Sequence, residues 1–113
     1  MNERDKNLLI FLKDEAEYLL EKAATHNVED FIDDRDLQHI VTMALINIGE
    51  SVNSMSDEFT QTHQNIEWSE IVGLRNKVVH NYRGLYFNWI WETVTKDVPE
   101  LLEQVERILL YEG

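Results

Sequence analysis

Residues 37–55 read LQHIVTMALINIGESVNSM, from Leu37 to Met55. Leu37, Ile40, Val41, Ala44, Leu45, Ile48, Val52 and Met55 recur at three- and four-residue steps, the period of a helix that buries one stripe. Asp33 or Asp34, just upstream, is placed to cap it. Met43 and Ile46 lie off the stripe and give the helix a second apolar edge, which in so small a domain points to a partner subunit. Gly49 costs about 1 kcal/mol against Ala in a helix interior. A close helix–helix approach would explain it.

The same period extends in both directions. Upstream, a helix from about Asn2 to Ala24 carries Leu8, Phe11, Leu12, Ala16, Leu19 and Ala23, with Tyr18 and Leu20 widening the stripe. Downstream, residues 56–67 are polar and weakly periodic, with Ser56 placed to cap a short turn that holds Glu58 or Phe59. Trp68 opens a helix to about Tyr82, with Ile71, Leu74 and Val78 inward and Gly84 as its C-cap. A further helix starts near Tyr86 and carries Phe87, Ile90, Trp91, Val94 and Val98. Pro99 either breaks or kinks the chain, or sits in the first turn of a last helix through Leu101, Leu102, Val105, Ile108 and Leu109. The expected fold is all-α, an antiparallel bundle of four to five helices in one domain spanning residues 1–113.

Composition narrows the function. Gly 4 and Pro 1 in 113 residues leave too little turn punctuation for a β-sandwich or barrel. The absence of cysteine removes disulfides, thiolate zinc sites, cysteine nucleophiles and dithiol redox chemistry, and fits a reducing compartment. The longest N-terminal apolar run, Leu8 to Leu12, is too short for a signal-peptide core or a membrane span, so the expectation is a cytoplasmic protein with no membrane partner. The net charge of −12 argues against nucleic-acid binding over most of the surface. Yet residues 71–91 hold Arg75, Lys77 and Arg83 and no acidic side chain, so a basic island sits on an acidic body.

Most candidate chemistry falls away. His26, His39, His63 and His80 include no pair three or four apart on one helix, so no metal site is expected. His26 and His63 lie in polar stretches and read as solvated, and His39 as a surface or interface residue. Acidic pairs such as Asp14-Glu15 and Asp33-Asp34 read as solvated faces in a chain with 22 acidic residues. There is no Gly-rich phosphate loop, and neither Gly-x-Ser-x-Gly nor Ser-x-x-Lys occurs.

What remains is the basic island from Gly73 to Gly84, which gathers Arg75, His80 and Tyr82 within eight residues. Arg holds a phosphate bidentately at any working pH, and His exchanges a proton near neutrality. Together they suit attack of an RNA 2′-hydroxyl on the adjacent phosphorus, which needs neither metal nor cofactor. One imidazole does not serve comfortably as base and acid in a single step. A twofold dimer would place two Arg75 and two His80 in one groove. On a regular helix Arg75 and Tyr82 share a face, while His80 lies about 140° round from Arg75. Either the helix loosens near His80, or the pair converges only across a dimer.

From Ile46 to the C-terminus the chain resembles the HepT-like family, within the HEPN group of helical ribonucleases. The resemblance is carried by Asn47-Ile48-Gly49-Glu50-Ser51, by Trp68 followed by Ile71-Val72-Gly73-Leu74-Arg75-Asn76, by Val79-His80-Asn81-Tyr82, and by Trp91-Glu92-Thr93-Val94 with Asp97-Val98-Pro99-Glu100-Leu101-Leu102. It implies a metal-independent, homodimeric endoribonuclease, the toxin of a two-gene toxin–antitoxin module. By that likeness Arg75 and His80 are the catalytic pair, supported by Asn76 and Lys77. Tyr82 would receive AMP from ATP, transferred by a minimal nucleotidyltransferase antitoxin that uses magnesium. AMP there would place a phosphate and a purine two residues from His80 and block the groove. The alternative expectation is a non-catalytic helical dimer that binds a nucleotide and docks the nucleotidyltransferase.

Overall fold

The computed structural model describes residues 1–81 and 87–112. The expected C-cap at Gly84, with Tyr82, Arg83 and Tyr86, lies outside them. Among the described residues the chain is helical and has no strand: α1 (Glu3–Ala24), α2 (Val28–Asp33), α3 (Arg35–Asn53), α4 (Asp57–Thr62), α5 (Trp68–Asn81), α6 (Phe87–Glu92), a π turn (Thr93–Asp97) and α7 (Val98–Glu112). The long helices are those the apolar period marks. α2 was not expected.

The starts of α1 to α4 are set by side chains that take orphan N–H groups. The Asn2 side chain accepts from Asp5 N. Asp34, not Asp33, caps α3, accepting from the backbone N–H of Asp36 and Leu37. Ser56 caps α4 through Phe59 N, as its place in the sequence predicts. Asn27 and Asp30 form a reciprocal capping box for α2. That box holds Phe31 in place, where it stacks on Trp91 and meets Phe87 edge-on.

Helix direction follows from pairs of contacts. Asp5 on α1 meets Ser56 just after α3, and Glu15 farther along α1 meets Asn47 earlier on α3, so the two run antiparallel. α3 also packs on α5, and α1 on α7. One apolar cluster joins Leu9, Leu12, Ala16 and Leu19 of α1 to Leu37, Val41, Ala44, Leu45, Ile48 and Val52 of α3, and to Val78, Ile90, Val94, Leu101, Val105 and Ile108.

The α1 stripe differs from the expected one. Its centre runs through Leu9, Leu12, Ala16 and Leu19, and Phe11 and Tyr18 are exposed. Those two lie about 120° or more round from the centre, beyond the arc that α3 and α7 cover. The buried arc instead includes Asp5, which accepts from both the backbone N–H and the hydroxyl of Ser56. On α3 Met43 is exposed and with Tyr18, Ile40 and Ala44 lines a groove between α1 and α3, whereas Ile46, expected on the same edge, is half-buried against the core.

Pro99 neither breaks nor ends the chain. It is the second residue of α7, and the turn before it widens: Val98 N bonds to Thr93 O, five residues back. Pro99 has no N–H to offer the preceding turn, and the π turn lies directly before it. The hydroxyls of Thr93 and Thr95 bond back to the carbonyls of Trp89 and Trp91.

Candidate active site

The segment 68–81 holds the residues the sequence singles out, and it is one uninterrupted α-helix. The helix does not loosen near His80. Arg75 and His80 therefore stand about 7.5 Å apart along the axis and about 140° apart around it. Arg75 is half-buried on the side that meets α3; His80 is exposed in the last turn of α5. Within one chain the two do not converge. Tyr82 lies outside the described residues.

Arg75 is held at three points. Gly49 of α3 faces its stem: a β-carbon on Gly49 would stand 2.2 Å from Arg75 Cβ and 2.9 Å from Cγ. The helix–helix approach expected at Gly49 is thus the α3–α5 contact. The Glu50 carboxylate forms an ion pair with Arg75 Nε, although no hydrogen bond is aligned there and Nε is buried. Nη1 donates to the Asn76 side chain at 2.6 Å. Lys77 does not join Arg75. It turns to the other flank of α5, with its ammonium 5.6 Å from the Trp89 ring centre, over a groove of about 550 Å³ that also presents Glu70 and Asp97.

Glu50 is the residue that charge counting missed. The basic island is free of carboxylates along the chain but not in space, because α3 brings one against its central arginine. The signal available was the pair Gly49-Glu50: a glycine in mid-helix marks a close neighbour, and an acid beside it reaches that neighbour.

The other histidines also sort differently. His63 is buried, not solvated. Its Nδ1 donates to Phe59 O, its ring packs on Phe59, and its Nε2 meets the Glu112 carboxylate. That partner is 49 residues away, so the local polar sequence concealed it. His26 is half-buried and closes the end of α1, donating through Nδ1 to Lys22 O. His39 is exposed, as expected. Among the described residues no three His, Asp or Glu side chains gather as a metal-ligand group, and no helix is long and apolar enough to cross a membrane.

Residues 12–108 match the family described as Ribonuclease HepT-like. A putative RNase of Caldanaerobacter subterraneus is 40% identical over 84% of this chain and 85% of its own length. A putative RNase of Methanocaldococcus jannaschii is 32% identical over 94% of this chain and 98% of its own. The probable ribonuclease HepT of Thermococcus cleftensis is 35% identical over 71% of this chain and 73% of its own. No solved structure is a significant match. The chain belongs to the HepT-like ribonuclease family. The match begins within α1, so it takes in residues for which sequence patterning alone offered only a helical period.

Proposed function

We propose that this chain is a metal-independent endoribonuclease, the toxin of a toxin–antitoxin module, acting in the cytoplasm as a homodimer. Family membership and the names of its relatives support the reaction class. The observation that carries the dimer is the regularity of α5, which turns Arg75 and His80 to different flanks of one helix. A twofold axis beside that helix brings each arginine toward the histidine of the other copy. The apolar edge at Met43 is available to such a contact.

In the reaction the RNA 2′-oxygen attacks the adjacent phosphorus as the bond to the 5′-oxygen breaks. One His80 takes the 2′-hydroxyl proton, and the other donates a proton to the leaving 5′-oxygen. Arg75 donates to the non-bridging oxygens, where charge builds in the transition state. The products are a 2′,3′-cyclic phosphate and a 5′-hydroxyl. Asn76 holds Arg75 through Nη1, and Lys77 adds positive potential on the neighbouring flank. A nucleotidyltransferase antitoxin, using ATP and magnesium, transfers AMP to the Tyr82 hydroxyl with release of pyrophosphate and closes the groove to RNA.

The test is RNA cleavage by purified protein in EDTA, with the 2′,3′-cyclic phosphate as product. Arg75→Ala and His80→Ala should each lower the rate by about a hundredfold or more. Full activity in both variants would end the assignment. Intact mass after co-expression with a nucleotidyltransferase reads the modification: an AMP increment that is absent from Tyr82→Phe is expected, and its absence from wild type removes that part alone.

A further inference from the structure

We infer that Glu50, with Gly49, is a positioning residue for Arg75, fixing the guanidinium so that it meets the RNA phosphate through Nη2. This rests on the ribonuclease reading above and adds to it a residue outside the Arg/His pair.

The argument begins with the stem. Arg75 Cβ and Cγ lie where a β-carbon of residue 49 would stand, so α5 seats this side chain directly on the α3 backbone. A long flexible side chain has thereby lost much of its rotamer freedom before any ligand arrives. Its head is held as well, with Glu50 against Nε and Asn76 on Nη1. Among the described residues neither of these contacts involves Nη2, and that nitrogen is the one assigned to the phosphate.

Two effects of Glu50 oppose each other. Its negative charge weakens the attraction of the site for a phosphate. Its contact fixes the cation where the transition-state charge develops, which removes reorganisation from the reaction step. The wedged stem decides between them. Arg75 is no swinging arm that Glu50 restrains from its ligand: the packing on Gly49 fixes Cβ and Cγ, and what Glu50 adds is the orientation of the head. Glu50 should therefore act on turnover, and its effect on RNA affinity should be small and opposite in sign.

The experiment compares wild type, Glu50→Gln, Glu50→Ala, Arg75→Ala and the double variant Glu50→Ala/Arg75→Ala on a mixed-sequence single-stranded RNA oligonucleotide. Glu50→Ala should lower kcat by about tenfold or more, with RNA binding unchanged or tighter. Glu50→Gln, which keeps the shape and an acceptor oxygen, should recover part of the loss. The double variant should be no worse than Arg75→Ala, because the residues act as one unit. Glu50→Ala as active as wild type, or more so, while Arg75→Ala is inactive overturns the inference and leaves the ribonuclease reading intact. An arm independent of turnover is NMR of the Arg75 guanidinium: hindered rotation in folded wild type and free rotation in Glu50→Gln or Glu50→Ala is expected. Free rotation in wild type overturns the seat whatever the protein cleaves. Should Glu50→Ala fail to fold, Glu50→Gln decides by the same two readings.

Discussion

Gly49 and Arg75 compete for one space: the backbone of α3 comes so near α5 that a β-carbon on the glycine would stand 2.2 Å from that of the arginine. Gly49→Ala therefore sets two effects against each other. Alanine favours the helix by about 1 kcal/mol, while overpacking costs about 1–3 kcal/mol. Because the obstacle is the root of the Arg75 side chain rather than its mobile end, overpacking should prevail and thermal melting should shift downward. Among the described residues, nothing beyond the backbone of its own helix and its chain neighbours comes within 4 Å of the missing β-carbon of Gly73 on α5. Gly73→Ala should thus stabilise the protein by up to about 1 kcal/mol. A rise in melting temperature for Gly49→Ala would contradict the packing described for α3 and α5.

Asp5 makes the bundle sensitive to acid. Burial pushes its carboxyl up, but the hydrogen bonds from the Ser56 hydroxyl and backbone, with Arg4 and the N-terminal amine, outweigh burial and hold it below the ordinary value of 3.8. A carboxyl depressed by folding stabilises the native state fully above its unfolded pKa, and that contribution is lost as pH falls through the folded value. Ser56→Ala removes the hydroxyl that meets Asp5 and caps α4, and should cost about 1–3 kcal/mol near neutrality. Asp5→Asn should melt below wild type at pH 6, with the gap narrowing below about pH 3. Melting curves in parallel at both pH values check this; a constant gap would refute it.

Glu67 works in the other sense. A hydrogen bond and charge repulsion from Glu70, then partial desolvation and Glu100, raise its carboxyl above the ordinary 4.5. The native state binds this proton more tightly than the unfolded chain. Its contribution is therefore complete below the unfolded pKa and is lost as pH rises through the folded value. Glu70→Gln should let Glu67 titrate lower, as read by NMR, and should raise the melting temperature at pH 7 but not at pH 3. Equal titration of Glu67 with and without Glu70 would remove the cause named here.

Subunit mixing tests the groove proposed to be shared by two copies. If turnover needs His80 from both copies, an equal mixture of wild-type and His80→Ala chains, fully exchanged, should retain roughly a quarter of wild-type activity, because only wild-type pairs remain competent. About a half remaining would mean that each chain works alone, and the two-histidine proposal would then fail.

The helices were legible because apolar side chains recur at the helical period, and because Asp34 and Ser56 stand at the breaks in that pattern. α2 was not, since six residues carry too little period to register, and its hold depends on Trp91, sixty residues on. Phe11 shows the limit of patterning by residue type: an aromatic at a permitted step remains exposed because no neighbour covers that arc of α1. The Arg75 and His80 positions were legible as chemistry. Their divergence was one of two geometries left open, and only the regular course of α5 decides between them. Glu50 and His63 were hidden for a shared reason, that each takes its meaning from a partner distant along the chain.

The wide turn at Thr93–Asp97 sets the phase of the C-terminal helix. Thr93 and Val98, five residues apart, are both buried, and the wide turn brings them toward one side of the chain. Deleting one residue between them would restore ordinary pitch with α7 in nearly the same phase, because five residues of the wide turn and four of an α-helix each complete about one turn, and Leu101, Val105 and Ile108 would keep their common side. This stretch should accept the loss of one residue, whereas the loss of a second would turn α7 by about 100° and swing those three off that side.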